Sequence, residues 1–301
     1  MAPADSIARD IAAAMASTPL ARNAATAVGA YAAGPRRLRI NALHIGAAVT
    51  HVGAAAAVVA APLTWPWALG VVLGTHGFVL AQTLFPRAQL LGPALVRLPQ
   101  VFADRGAVAL TFDDGPDPLV TPATLDLLDG AGAKATFFCI GERVRRHPAL
   151  AREIVARGHA VENHSYAHSP YLGFWGPRRV QRDVAAAQEA IADATGVAPL
   201  FFRPPFGVRN PLLEPALAAV GVHCVVWSAR AFDTVARDAG QVVRRLTAAL
   251  DAGAIALLHD GIAVRARRGP PVLLEALPAV LATLATRGLH SINLRSIVHL
   301  E

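Results

Sequence analysis

The sequence predicts an α/β domain built on a central parallel sheet or barrel and preceded by a hydrophobic helical hairpin. Three observations predict it. From Ala107 onward, short apolar runs alternate with helix-like stretches, the rhythm of repeated βα units. Between Arg39 and Arg87, 47 consecutive residues contain no Asp, Glu, Lys or Arg, room for two spans of about 20 residues each. Beyond them, the distinctive polar residues stand at the ends of apolar runs, where active residues of α/β folds collect.

Composition supports this division. Of 301 residues, 54% are apolar and 16% charged, against about 25% charged in ordinary soluble domains. The deficit is local, because residues 1–100 hold 9 of the 49 charged positions. A purely soluble chain is therefore not expected. The apolar content excludes disorder, and the scattered Gly and Pro exclude collagen-like repeats. The net charge of +7 divides into +5 for residues 1–100 and +2 for the rest. The domain thus lacks the concentrated basic face that nucleic-acid binding needs. Cys139 and Cys224 lie in apolar runs and form neither a disulfide framework nor a metal pair by spacing, so both read as buried thiols.

Residues 1–39 read as a tail ending in Arg36, Arg37 and Arg39, with one short helix near Ile7–Ala16. Residues 40–86 read as a transmembrane hairpin, with helices near Ala42–Ala61 and Trp67–Phe85 broken at Pro62–Pro66. Trp65 and Trp67 suit a membrane interface. In the first helix, Leu43, Ile45, Val49, Val52, Val58 and Val59 contribute about 0.3 to 0.6 kcal/mol each, roughly 2 to 4 kcal/mol together, before His44 and His51 subtract. The second helix, with nine Leu, Val or Phe positions, must help to carry the first. Gly70 and Gly74 permit close helix approach. An apolar block that begins after about 40 residues, far longer than a signal-peptide core, argues for a retained anchor. Arginines flank both ends of the hairpin and none sits in its turn, which places both ends and the following domain in the cytoplasm of a bacterial-type inner membrane. If only one helix spans, the domain is periplasmic. Residues 87–104 read as a connector.

Within residues 105–301 the runs AVALTF, ATFFCI, HAVENH, LFFRPP, HCVVWS, AIALLH and HSINL are the candidate strands. Pro122–Gly130, Pro148–Arg157, Arg178–Ala194 and Pro211–Val220 are candidate helices between them. The first run ends in Asp113 and Asp114 before a Gly-Pro turn. Successive strand side chains point opposite ways, so one carboxylate can face a metal while its neighbour faces a substrate. In NHSYAH, His164 and His168 stand four apart, a spacing that one helical turn sets on a single side and that recurs in zinc sites. One carboxylate with two histidines leaves open positions, as a catalytic metal requires. In FFRPPFG, Arg203 is placed to hold a carboxylate by a bidentate bond, and the Phe206 N–H to face a developing oxyanion. His259 closes AIALLH, where an imidazole can give a proton to a leaving group. His159 reads as a packing residue, and His147, His223, His290 and His299 sit in no such pattern.

Five blocks occur in order: TFDDGP, HSYAH, RPPFG, VVWSARAFDT and ALLHDG. In them, residues from about Arg105 onward resemble a polysaccharide deacetylase domain, the NodB-homology family or carbohydrate esterase family 4. The resemblance implies that family's distorted (β/α) barrel with fewer than eight strands. It implies Asp113 as catalytic base, Asp114, His164 and His168 as ligands of a divalent metal, and His259 as general acid. It further implies that Arg203 orients Asp113, that Asp233 tunes His259, and that Trp227 and Leu258 line the acyl pocket beside Phe206. The metal is expected to be zinc, with cobalt or nickel as alternatives. The activity implied is removal of the N-acetyl group from an amino sugar, lipid-linked or polymeric. Deformylation, O-deacetylation or a silent glycan-binding module are the competing expectations. One departure stands out: the family's fourth block often ends Asp-Trp, whereas Thr234 follows Asp233 here, which implies an altered groove wall.

Overall fold

A computed structural model describes residues 42–261 and 270–298. The tail with its short helix near Ile7–Ala16 lies outside them. Helix α1 runs Ala42–Ala60 and α2 runs Trp65–Thr83, joined by a 3₁₀ turn at Pro62–Thr64. Pro66 sits in the first turn of α2, where its missing N–H costs nothing. Each helix has 19 residues, so each is about 28 Å long, close to the roughly 30 Å hydrocarbon core of a bilayer. No described residue of either span is buried, and Val59 and Trp67 are 84% and 80% exposed. These are not core helices of the domain.

Residues 89–103 join the domain directly. The 3₁₀ turn Gln89–Leu91 packs against both hairpin helices, and Leu91, Leu95, Leu98 and Phe102, the last on the short helix α3 (Gln100–Ala103), are buried. The sheet follows, with strands β1 (Ala107–Asp113), β2 (Ala135–Cys139), β3 (Ala160–Asn163), β4 (Phe201–Phe202), β5 (His223–Cys224), β6 (Ala229–Arg230), β7 (Ile255–His259) and β8 (His290–Ser291). Their order is β5-β4-β3-β2-β1-β7-β6, every pairing parallel, with β8 beside the start of β1. Leu95 bridges to Val225 beyond β5, and Arg97 to Ala254 before β7. The connector thereby runs from the β5 edge to the start of β7, and the sheet becomes a distorted, incomplete barrel.

Strands β1 and β2 are buried along their whole length, as expected for a parallel sheet covered on both faces. Val108, Leu110 and Phe112 point outward under helices α4 (Val120–Gly130), α9 (Ala239–Ala249) and α10 (Val272–Thr286). Ala107 and Ala109 point inward, on the side shared by Thr111 and Asp113. Helices α5 (Gly141–Arg146), α6 (Pro148–Ala156), α7 (Pro177–Thr195) and α8 (Leu213–Val220) cover the other half. Cys139 and Cys224 are both buried and neither is in a disulfide. His159 accepts the Ala135 N–H at 3.1 Å, and burial lowers its imidazole to about 4. It is a neutral packing residue.

Candidate active site

The register of the central strands sets the site. Asp113, the last residue of β1, lies opposite His259, the last residue of β7, so both side chains leave the same face at the C-terminal end of the sheet. Asp113 is 3% exposed. Its Oδ1 accepts a 2.7 Å hydrogen bond from Arg203 Nη1, which also donates to Thr111 Oγ at 2.7 Å. The expected bidentate grip is a single bond: Nη1 spends its other proton on Thr111, and Nη2, the second arm of the fork, donates to the Val226 carbonyl at 3.2 Å. Arg203 is fully buried, follows β4, and lies over the Phe138 ring at 4.1 Å.

Asp114 turns away from Asp113 with φ +71° and meets the two histidines. His168 Nε2 is 2.9 Å and His164 Nε2 3.3 Å from Asp114 Oδ1. The histidine pair is assembled by a loop rather than by the expected helical turn. Asn163 Oδ1 accepts the Ser165 N–H and Ser165 Oγ accepts the His168 N–H, both at 2.9 Å, and Ser165 and His168 both take positive φ. Among the described residues, the non-glycine positions with positive φ are Asp114, Ser165, His168, Phe206 and Phe232. All five lie just beyond strand ends around this site, where such strained backbone typically collects.

Hydrogen bonding tests whether the cluster fits a metal. His164 Nδ1 donates to the Arg203 carbonyl at 2.8 Å, so in a neutral ring Nε2 presents a lone pair to Asp114 Oδ1, a buried oxygen left without a hydrogen bond. Acceptor facing acceptor calls for a cation between them. The three ligand atoms lie within 4.8 Å of one another. Two ligands each about 2.0 to 2.2 Å from one tetrahedral zinc lie about 3.3 to 3.6 Å apart, so small movements suffice. Electrostatics agree: burial would raise the Asp114 carboxyl, but the adjacent His164 and His168 imidazoles hold it well below the usual carboxylate range, so it stands as an anionic oxygen ligand. Burial would lower His164, and the Asp113 and Asp114 charges outweigh it and push that imidazole up. The donor set fits a divalent cation.

Opposite, His259 Nδ1 donates to Asp233 Oδ1 at 3.0 Å, and its backbone N–H donates to Asp233 Oδ2 at 2.8 Å. Burial alone would lower this imidazole, yet the hydrogen bond and charge of Asp233 raise it to about 9. Phe206 is 59% exposed, its ring 4.9 Å from that of His168, and its N–H has no acceptor among the described residues. Trp227 is buried, its ring so close to Gly207 that an added Cβ would stand 2.5 Å from it.

One expectation is corrected. Leu258 does not face this cavity; it packs outward with Phe112 and Phe137 under the helices. Side chains alternate along a strand, so Leu257, two residues before His259, shares the inner side and packs with Trp227 and Val226. Two further polar groups escaped sequence reasoning. Thr111 shares the Asp113 face by the same alternation, a signal available in the strand pattern. Asp260 is fully buried behind Gly115, where an added Cβ would stand 2.5 Å from its carboxylate, and Thr121 donates to it. Burial pushes Asp260 up to about 7, the Thr121 bond pulling the other way and Asp114 adding to the rise. Its only sequence signal was its place beside His259.

Comparison with known proteins supports the geometry. A family model described as polysaccharide deacetylase matches residues 102–225. The chain is 40% identical over 156 residues to a chitooligosaccharide deacetylase of Bradyrhizobium, covering 52% of this chain and 71% of that protein. It is 36% identical over 170 residues to a peptidoglycan-N-acetylglucosamine deacetylase of Listeria monocytogenes, covering 56% of this chain but only 36% of that protein. Among solved structures, a family 4 carbohydrate esterase from Streptomyces lividans in complex with acetate superposes with a TM-score of 0.56 at 35% identity, covering 62% of this chain and 91% of that one.

Proposed function

The chain belongs to the polysaccharide deacetylase family, carbohydrate esterase family 4, and from that premise we propose that it is a metal-dependent hydrolase removing the N-acetyl group from an amino sugar. The observation that carries the reading is the pairing of Asp113 and His259 at adjacent strand ends beside the Asp114, His164 and His168 cluster.

The residues divide the work by their environments. Asp114, His164 and His168 would hold the divalent ion, proposed as zinc. When bound, that ion supplies a Lewis acid that polarises an acyl carbonyl and acidifies water. Asp113, fixed by Arg203, accepts the proton of the attacking water. The free Phe206 N–H donates to the oxygen that becomes negative as the carbonyl is attacked. His259, protonated below about 9 through Asp233, gives its proton to the departing amine. Trp227 and, by the corrected register, Leu257 enclose the acetyl methyl. The products are acetate and a free amino sugar. The relatives named for peptidoglycan and chitooligosaccharide deacetylation support an N-acetylglucosamine-type substrate.

In this reading residues 40–86 form a retained membrane anchor, 87–104 the connector and 105–301 the catalytic domain. The unburied apolar surface of both helices supports lipid as their environment. Arginines flanking both hairpin ends support a cytoplasmic domain. Stripping with a chelator is expected to abolish acetate release from an N-acetylglucosamine glycan, and zinc or cobalt to restore it. Full activity in metal-free protein would refute the metal role.

A further inference from the structure

Arg209 is the residue that joins hairpin to site. Only 2% exposed, it donates to the carbonyls of Pro86, Ala88 and Gly92, just beyond the end of α2. Pro86 lies against Gly207, where an added Cβ would stand 2.9 Å from it. Gly207 is the neighbour of Phe206, whose ring touches His168. The exit of the second span is thus two side-chain contacts from the metal-ligating cluster. A cavity of about 290 Å³ lies between α1, α2 and Pro211–Leu212, its helix walls made by Leu43, Ala47 and Val79 together with Thr75 and the imidazoles of His44, His51 and His76. Tyr171, Phe174 and Phe206 stand 67%, 80% and 59% exposed on the neighbouring loops beyond β3 and β4. Arg87, donating to the carbonyls of Trp227 and Ser228, and Arg230, 5.5 Å from the Trp227 ring, bring two cations to the Trp227 segment.

We propose that the mouth of the site opens at the bilayer surface and that the substrate is an N-acetylated amino sugar carried on a membrane lipid through a phosphate, its chain lying beside Pro211 and Leu212. This rests on the deacetylase reading and names its substrate class. A cleft that opens between two lipid-facing helices, with Leu43, Ala47, Val79, Pro211 and Leu212 on its walls beside three imidazoles, accepts a hydrocarbon chain that is already in the membrane. The two arginines suit a phosphate link, and exposed aromatics on the rim suit the headgroup layer. Confinement of enzyme and substrate to one surface raises their effective concentration. The reaction is otherwise unchanged: the oxygen of water joins the acyl carbon, the C–N bond breaks, acetate leaves and the sugar amine takes the proton.

The test uses the full chain in phospholipid vesicles, with acetate release measured on polyprenyl-phosphate-linked N-acetylglucosamine in the same vesicles and on soluble chitotetraose at equal bulk concentration. The lipid-borne sugar is expected to turn over at least about 100-fold faster at limiting substrate. Equal or faster release from chitotetraose overturns the lipid-carried substrate and leaves the deacetylase reading standing. Release from neither probe overturns both.

Discussion

In the proposed mechanism His259 and Asp113, direct partners in the strand register, do opposite jobs, and their surroundings separate them. Asp233 holds the imidazole charged, with its titration raised from 6.5 to about 9, so kcat/KM is expected to fall as pH rises through about 9. Asp233→Asn removes the charge that opposes burial, and the alkaline limb of the pH profile should move down toward 6.5; an unmoved limb would detach Asp233 from the acid. Asp113→Asn is expected to lower kcat by roughly 10²- to 10⁴-fold, the scale of a lost general base, with zinc content by elemental analysis unchanged. His164→Ala should lose the metal itself. These residues were legible because each is a polar group closing an apolar run. Thr111 and Asp260 were not, since a buried threonine in a strand and an acid beside a histidine carry no pattern of their own. The single Arg203 bond was equally hidden, because only the fold brings Thr111 into competition for the guanidinium.

At the scale of elements, the helices were the readable part. The expected Pro148–Arg157 and Arg178–Ala194 stand as Pro148–Ala156 and Pro177–Thr195, since a long amphipathic stripe specifies itself. Strands β4 and β5 have two residues each, far shorter than the apolar runs that suggested them, which continue into loops that stay buried; β6, also two residues, lies just past the run HCVVWS and was not among the candidate strands. The histidine loop depends on Asn163 and Ser165 bonds and positive φ, which four-residue spacing does not reveal. Strand alternation decides the leucine question. Leu257→Ala should relax the preference for N-acetyl over N-propionyl substrate by about tenfold, the worth of a methylene in a fitted pocket. Leu258→Ala should cost about 2 to 5 kcal/mol of stability as a core truncation and leave that preference unmoved, with thermal denaturation and acyl competition as the two readouts.

For the whole molecule, the charge-free block and the strand-end polar groups were both visible in sequence, but their adjacency was not. The connector looked like a spacer, yet its Leu95 and Arg97 bridge to the β5 edge and to the start of β7, so hairpin and site are held together by backbone pairing and by Arg209. The proposed two-span topology, with the domain in the cytoplasm, is expected to leave an alkaline phosphatase fused after Glu301 inactive in intact cells, whereas strong activity would place the domain outside. The central claim, hydrolysis of an acetamide by this residue set, is tested most directly by measuring acetate and newly freed primary amine in one reaction on an N-acetylated amino sugar. Equal amounts of both from the wild type, with both falling together by roughly 10²- to 10⁴-fold in Asp113→Asn, is the predicted result. Acetate without amine, formate in place of acetate, or undiminished products from Asp113→Asn would contradict it.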